Sequence, residues 1–567
     1  MHSRHGHARP WRTSRCRDTC VSSTRFPPMP AARSSRSNCV RSAGPNSDST
    51  DPHRMPVPDA PVTGSFAGVV DLFDAVVQRA GDVEAFVHDG RRITFEQWGR
   101  AADGVATRLA GMGVRPGDVV GVSLPSSIDY AIAYQAILRL GAITSGMNPR
   151  LGPAENAHII ERSEPVVIVT DAGPSAMGSV PLLSCAELRE AAADTPFTAR
   201  PSVVDTDPVA IVWTSGTTGR PKGAVFDHAC LRAMAAAAGP LSRVGDRRLS
   251  PLPFAHVGYM TRVWDELMHV ITTIVCPTPW TAAGALELIG TERVTVGQGV
   301  PAQWQMMLAH PDLATTDVSS LRIVSTGAAR VPPEMVEAMR NSFGCPVVVR
   351  YTSTEACVST GTALEDPDEV ICTTVGTPGS GVEMELRLEE GRGRQVMPTD
   401  SGDTEVGTVC LRSRAMMRGY WREPELTAAA IDTEGWLLTG DLGFLDGRGD
   451  LHLAGRSTEM YIRGGYNVYP IEVENRLGQH PAVDRVAVLG AEAPVLGEIG
   501  VAFVVPRDAA APPTLESLRS WCTEELASYK APDALVLLDE LPLTAMSKVD
   551  KRALAPAAAA AEKEWER

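Results

Sequence analysis

Val209-Ala210-Ile211-Val212-Trp213-Thr214-Ser215-Gly216-Thr217-Thr218-Gly219-Arg220-Pro221-Lys222-Gly223 changes character after its fifth residue. Val209–Trp213 is an apolar run that reads as a buried strand. The next ten residues hold three glycines and four hydroxyl side chains. Such a string cannot pack a core, but it can bend backbone N–H groups and hydroxyls around phosphate oxygens, with Lys222 as a point charge. It is not a Walker A loop, because Lys222 comes three residues after Gly219 and is itself succeeded by glycine. For a generic Gly/Ser run the plain alternative is a flexible surface loop.

Outward from this string, helical patterns alternate with short apolar strands from about residue 66. Asp71–Arg79, Thr94–Leu109 and Ile128–Leu140 read as helices. Val119–Leu124, after the turn Arg115-Pro116-Gly117-Asp118, reads as a strand, and so does Val166–Thr170. The alternation predicts an α/β fold, with a large N-terminal domain of mixed, mostly parallel sheets flanked by helices. Leu388–Gly407 is polar and Gly-rich, and after Gly455 the texture changes. Val483–Leu489 and Val501–Val505 read as strands and Thr514–Leu526 as an amphipathic helix, which predicts a small α+β C-terminal domain. The tail Ala555–Arg567 reads as a frayed helix or disorder. The predicted divisions are a disordered or mis-assigned leader over 1–54, a large domain over 66–455, a small one over 459–555 and a tail over 556–567. With 567 residues, the chain exceeds the roughly 250–300 that one core serves.

The net charge of −15 is unevenly spread. Residues 1–54 hold ten Arg, no Lys and three Asp, a net +7, so the rest carries −22. An acidic body gives no reason to invoke nucleic acid. No run approaches the ~18 apolar residues that would span a membrane. The leader is Arg-, Ser- and Pro-rich without an apolar core, so it is not a secretory signal. The chain's eleven cysteines are scattered without zinc-like spacing, and reduced thiols in a cytoplasmic protein are the simple reading.

Five further strings carry the chemistry. They are Pro253-Phe254-Ala255-His256, Ser325-Thr326-Gly327-Ala328-Ala329, Tyr351-Thr352-Ser353-Thr354-Glu355, Thr439-Gly440-Asp441, and the run from Gly455-Arg456 through Glu459 to Pro470. A sixth, Pro542-Leu543-Thr544-Ala545-Met546-Ser547-Lys548, closes the series. With the 214–223 string, and in this order, they resemble the adenylate-forming superfamily of acyl-CoA synthetases, peptide-synthetase adenylation domains and firefly luciferase. The likeness is most to a bacterial fatty-acid–CoA ligase and covers about residues 66–555.

The resemblance implies residue roles. Thr214, Ser215, Gly216, Thr217, Thr218, Gly219 and Lys222 would cradle phosphates. Gly327, Ala328 and Ala329 would lie along adenine, and Tyr351 would stack on it, with Thr352 and Ser353 adjoining. Thr354 would touch phosphate. Glu355 would bind Mg²⁺, as suits a hard cation whose other ligands come from ATP. Asp441 would accept both ribose hydroxyls, for which a carboxylate offers two acceptors in one plane. Arg456 would reach ribose or phosphate, and Lys548 would bridge the substrate carboxylate and the α-phosphate. The implied catalytic set is therefore Lys548, Thr354, Glu355 and Lys222. His256, Val257, Gly258, Val300 and Trp304 would border the acyl pocket. Glu459 would be the hinge of a mobile small domain, with Gly464 and Gly465 beside the pantetheine tunnel. Glu472 and Glu474 read as the start of a solvated helix, and Lys551 and Arg552 as surface charges. Three positions depart from the family pattern: Thr352 and Ser547 replace glycine, and Glu459 replaces Asp or Lys.

The implied reaction uses ATP, Mg²⁺ and coenzyme A to convert a fatty, aryl or alicyclic acid to its thioester through an acyl-adenylate. Amino-acid activation is disfavoured, because Phe254–Gly258 lacks the aspartate that would hold an α-ammonium. Loading of a carrier protein, and a non-catalytic nucleotide-binding protein on the same fold, stand as alternatives. A homodimer is left open.

Overall fold

Local sequence sets the helices that frame the cleft. The helix Phe95–Gly111 begins where Thr94 Oγ1 accepts the Gln97 N–H at 3.2 Å and Gln97 Oε1 accepts the Thr94 N–H at 2.9 Å. That reciprocal cap satisfies two backbone donors that a helix start leaves orphaned. Phe95, Trp98, Ala102, Val105, Ala106 and Leu109 then fall on one buried stripe at helical spacing. The helix Ile128–Arg139 starts on Ser127, whose Oγ accepts the Tyr130 N–H at 3.2 Å, and every one of its residues is buried. The computed structural model describes residues 57–565, except 174–176, 215–219, 328–330, 332, 389–393, 396–404, 458, 465, 495 and 545–547. The leader 1–54 and most of Leu388–Gly407 therefore lie outside the described residues.

Among the described residues the strands form four sheets. In the nine-stranded sheet, six neighbours run parallel in the order Val347–Ser353, Ile323–Gly327, Val296–Gln298, Arg247–Ser250, Thr272–Val275 and Glu84–His88. Antiparallel strands flank it, Arg91–Thr94 on one side and Cys357–Gly361 followed by Thr377–Pro378 on the other. In the six-stranded sheet, Leu182–Leu183, Val167–Thr170, Val119–Ser123, Ile143–Gly146 and Pro208–Thr214 are parallel, and Lys222–Asp227 is an antiparallel edge. Strands buried on both faces read as continuous apolar runs, which is why Val119–Ser123 and Val167–Thr170 are legible in the sequence. The third sheet is antiparallel and five-stranded, and contains Gly407–Ser413, Leu437–Leu445 and Leu451–Arg456.

The last sheet is built on the long hairpin Val483–Ala493/Gly497–Pro506, with Ala534–Leu537 added parallel to its second strand. Both strands outrun their sequence readings, because their ends are less apolar than their middles. For the C-terminal tail, read as a frayed helix or disorder, the structure has a helix that is packed down at its start. Lys551–Trp565 is a helix, and Leu554 and Ala558 pack into a core with Ile499, Val501, Phe503 and Leu541. Alanine-rich composition fixes helix propensity but does not show what the helix packs on. No helix among the described residues is long and apolar enough to cross a membrane.

A buried charge cluster joins the nine-stranded sheet to the helix Val263–Met268. Asp265 Oδ2 accepts Arg248 Nη2 at 3.1 Å and the Ser242 hydroxyl at 2.8 Å, and Oδ1 lies 3.0 Å from His269 Nδ1. These cations hold the Asp265 carboxyl below its usual range despite its burial. Its neighbour Glu266 is less well matched, with Arg248 Nη1 at 3.7 Å and Arg262 farther off. Burial therefore wins, with Asp265 adding repulsion, and Glu266 is pushed up to about 7.

The sign of the resulting pH effect is fixed. The Glu266 carboxyl ionises near its ordinary 4.5 in the unfolded chain and near 7 in the folded one, so the folded state holds its proton more tightly. Stability from this group is full below about 4.5 and is lost as pH rises through about 7, a difference of about 3 kcal/mol at most. Glu266→Gln abolishes that titration. The melting temperature of the variant relative to wild type should climb between pH 5 and pH 8, and a constant difference would show that Glu266 is ionised throughout.

Candidate active site

The cleft is organised by a hairpin tip. Val347–Ser353 and Cys357–Gly361 pair antiparallel with Ser353 opposite Cys357, so Thr354-Glu355-Ala356 forms a three-residue loop. Ser353 Oγ accepts the Ala356 N–H at 3.0 Å, and Cys357 takes φ +59°. A turn leading into a left-handed residue is a common way to close a three-residue hairpin. The Met417 N–H bonds the Glu355 carbonyl at 2.8 Å, which fixes the tip from a second segment. Tyr351, Thr352, Ser353, Thr354 and Glu355 are thereby presented together.

Asp441 faces this hairpin from the five-stranded sheet, where it pairs with Arg456 in the register of Leu437–Leu445 and Leu451–Arg456. It is only 7% exposed. Its Oδ2 accepts the Tyr351 hydroxyl, and its Oδ1 accepts Arg456 Nε at 2.9 Å. The Thr439 hydroxyl accepts the Asp441 N–H at 3.0 Å. Burial first, and then the Asp441 charge, push the Tyr351 phenol well above its ordinary value.

Lys548 enters from the small domain. Its N–H donates to Thr544 Oγ1 at 3.3 Å, and its carbonyl accepts the Thr544 N–H at 2.7 Å. The residue stays solvent-accessible, yet its ammonium is crowded by protein. Burial, and then Arg456, hold it below the usual lysine range, while Asp441 and Glu355 oppose them. His256 lies within the same field. Burial, and then the Lys548 charge, bring it down to about 4, so it is neutral at pH 7. Its Nδ1 accepts the Gly258 N–H at 3.4 Å as the cap of the short helix Val257–Met260.

Lys222 arrives by strand pairing. Thr214 is opposite Lys222 at the ends of the antiparallel pair Pro208–Thr214 and Lys222–Asp227 on the six-stranded sheet. Of the Gly/Thr string, Ser215, Gly216, Thr217, Thr218 and Gly219 lie outside the described residues. Lys222 Nζ sits 5.3 Å from the centre of the Tyr420 ring, and the Tyr420 hydroxyl donates to Glu355 Oε1 at 2.9 Å. Sequence reasoning misses Tyr420. The chain Arg418-Gly419-Tyr420-Trp421 crosses the edge strand, with Trp421 N–H bonding Gly223 O at 2.7 Å and Val225 N–H bonding Gly419 O at 3.0 Å. Its only sequence signal is a pair of aromatic residues after a glycine in an otherwise polar stretch.

Other expected residues are placed less centrally. Gly327 ends Ile323–Gly327 where a Cβ would stand 2.3 Å from Arg350 O, so only glycine fits; Ala328 and Ala329 lie outside the described residues. Val257 is buried and Val300 half-buried. Trp304, expected at the acyl pocket, is 0% exposed. Its indole lies edge-on to Phe343, and its N–H bonds Gly299 O and Ser325 O, each at 3.2 Å. It is a core anchor beneath the strand ends. Glu459 Oε2 accepts Lys551 Nζ at 2.8 Å, and Lys551 also pairs with Glu474 at 2.9 Å. Lys551, read as a surface charge, thus links the predicted hinge to the small domain. Gly464 sits exposed at a hairpin tip with φ +58°, a left-handed conformation that suits glycine; Gly465 lies outside the described residues.

Comparison with known proteins agrees with this geometry. Residues 73–421 match the family model for AMP-binding enzymes, and residues 472–548 match that of the AMP-binding enzyme C-terminal domain. The 3-[(3aS,4S,7aS)-7a-methyl-1,5-dioxo-octahydro-1H-inden-4-yl]propanoyl:CoA ligase of Rhodococcus jostii (strain RHA1) is 33% identical over 84% of this chain and 95% of its own length. The indoleacetate–CoA ligase of Aromatoleum aromaticum (strain DSM 19018 / LMG 30748 / EbN1) is 32% identical over 81% of this chain and 92% of its own. The crystal structure of ATP-bound MatB from Rhodopseudomonas palustris superposes with a TM-score of 0.78 at 27% identity, covering 87% of this chain and 99% of that one. The chain belongs to the AMP-binding enzyme family, and its activity is that of an ATP-dependent, AMP-forming acid–thiol ligase.

Proposed function

We propose that this protein activates a ring-bearing or long-chain carboxylic acid as its acyl-adenylate and transfers the acyl group to coenzyme A. The observation that carries the reading is convergence. Lys222, Glu355, Asp441, Arg456 and Lys548 come from five separated stretches, yet they adjoin one cleft through Tyr420, Tyr351 and the field around Lys548. The relatives from Rhodococcus jostii and Aromatoleum aromaticum act on acids carrying fused rings, which supports the acid class.

In the first step a carboxylate oxygen attacks the α-phosphorus of ATP. The bond to the bridging oxygen breaks, and pyrophosphate leaves. Two anions must meet in line, so the protein's task is neutralisation and alignment rather than strong base catalysis. Lys548 answers that need, because a cation crowded by protein and by Arg456 gains most from an arriving anion. Neutral His256 adds no competing charge. Asp441 is proposed to receive the ribose, since a carboxylate has about four lone-pair sites and two of them face Tyr351 and Arg456.

The residues suit a magnesium ion held largely by substrate. Among the described residues no three acidic or imidazole groups cluster around a metal position, and Glu355 is a lone carboxylate with one oxygen held by Tyr420. One carboxylate plus substrate phosphates is how Mg²⁺ is usually kept. When bound, the ion would neutralise phosphate charge. In the second step the thiol sulfur attacks the adenylate carbonyl and AMP leaves. Lys548 is then in the way, and the small domain is proposed to turn about Glu459. The boundary this implies, 66–455 against 459–555, is supported by hydrophobic cores that never mix residues from the two sides.

Pyrophosphate release should require one acid class and speed up with CoA. Lys548→Ala should lower the adenylation rate by on the order of 10²–10³-fold, while leaving thioester formation from supplied acyl-AMP largely intact. Release unaffected by CoA would point instead to carrier loading, and silence on every acid would defeat the ligase reading.

Tyr420→Phe should raise the Mg²⁺ concentration for half-maximal rate several-fold with little change at saturation, because the phenol orients Glu355 without touching substrate. A lower saturated rate with unchanged Mg²⁺ dependence would place Tyr420 elsewhere in the reaction. Lys551→Met unties Glu459 from Glu474 and should slow adenylation without slowing thioester formation. Equal loss of both half-reactions would exclude a hinge role for this ion triplet.

A further inference from the structure

The helix Pro153–Ser163 is anchored by Ile159, which is buried with Met147 and Ile168, while Ile160 and Trp213 pack against that group. Trp213 stands on the strand Pro208–Thr214, and its indole N–H donates to Ser145 Oγ at 2.9 Å. With residue 159 turned into this cluster, residues 158 and 162, four apart, share an adjoining face of the helix. That face meets two segments of the cleft. His158 Nε2 lies 3.1 Å from Pro221 O, and Arg162 pairs with Glu423. Glu164, just past the helix end, pairs with Arg422, whose guanidinium stands 5.4 Å from the centre of the Trp421 ring.

A carbonyl can only accept, so His158 Nε2 carries the hydrogen in this bond. Pro221 is buried and brings no N–H of its own. Its peptide bond to Lys222 is planar and trans, so a C=O aimed at His158 sends the Lys222 N–H the opposite way. One contact to the carbonyl thus fixes the plane from which Lys222 starts.

Farther along, the strand is held from both sides. Pro208–Thr214 pairs with it on one side, and on the other Trp421 N–H bonds Gly223 O at 2.7 Å and Arg418 N–H bonds Val225 O at 2.8 Å. Among the described residues that outer pairing ends at Gly223, and the next peptide back belongs to His158. Lys222 Nζ in turn stands over Tyr420, whose hydroxyl holds Glu355. The same helix therefore ties down both neighbours of Lys222: Pro221 through His158, and the segment after Tyr420 through Arg162 and Glu164.

We infer that His158 is a positioning residue for the adenylation half-reaction, acting through Pro221 to keep the Lys222 ammonium aligned with the phosphates that leave as pyrophosphate. This rests on the ligase reading and adds a residue to its machinery. Alignment of a charge with a departing anion is sensitive to small displacements of the group that carries it. The second half-reaction has no pyrophosphate to hold, so His158 serves only the first. A histidine kept merely to stabilise the fold would affect both half-reactions alike.

The test compares two half-reactions of the full chain: pyrophosphate release from ATP and Mg²⁺ with the best of a panel of fatty, aryl and alicyclic acids, and thioester formation from supplied acyl-AMP and CoA. His158→Leu removes the donor and keeps the bulk. It should lower kcat/KM for ATP on the order of tenfold, with KM for the acid and the thioester step unchanged. His158→Gln, which carries an amide N–H where Nε2 stands, should recover most of the loss, and His158→Asn, whose N–H falls short, should not. Beside Lys222→Met, His158→Leu should cost less than about twofold more, because the group it positions is gone. Equal loss in both half-reactions, Gln no better than Asn, or the full loss persisting beside Lys222→Met would each overturn the inference, and the Gln–Asn pair decides it if the Leu variant does not fold. Variants as fast as an active wild type remove this inference alone, whereas no pyrophosphate release by the wild type on any acid removes the ligase reading as well.

Discussion

Asp441 is the contact on which the cleft depends. It lies on the five-stranded sheet, takes the hydroxyl of Tyr351 from the nine-stranded sheet, and takes Arg456 from the segment that leads to the small domain. Two sheets, and the strand end that leads to the small domain, are thus indexed to one buried carboxylate. Removing one partner of such a set usually costs more than the bond is worth, because the others are left desolvated and unpaired. Arg456 is half exposed, so most of that cost would fall on Tyr351, which is 8% exposed. Its two protein partners fix the orientation of that carboxylate.

Charge is the second organising fact. The body of the protein is strongly acidic, yet its cleft gathers Lys222, Arg456 and Lys548 where anionic substrates must meet. Lys548 and Arg456 repel each other in the absence of an anion, and burial sharpens the repulsion. A cation held at a disadvantage in the free enzyme contributes more when the charge it serves appears, which is the difference between binding a ground state and stabilising a transition state. Lys548 is brought to that cleft by the small C-terminal domain, at the last residue of its family match.

Much of this is legible in the sequence because each motif has its own local reason to look as it does. Glycines and hydroxyls after an apolar strand cannot be core. Partners brought in by long-range pairing are not legible. Tyr420 reaches Glu355 only because its segment hydrogen-bonds across Gly223 and Val225, which no spacing in the sequence reveals. Lys551 looks like any lysine at a helix start until the helix is placed against Glu459 and Glu474. Trp304 is placed at the pocket only by the resemblance, and its full burial against Phe343 puts it in the core.

Thr352 stands where the resemblance leads one to expect glycine, and it puts a side chain beside Tyr351. The hairpin slips register at this point. Tyr351 stands opposite Thr360 but Thr352 opposite Val358, so Ser359 is an extra residue on the partner strand. A bulge of this kind bends and twists the strand that carries it and re-aims the residues next to it. Next to it here are the Cys357 left-handed turn and the Glu355 tip. The Thr352 side chain and the bulge at Ser359 thus lie side by side at the base of the tip that Tyr420 holds through Glu355.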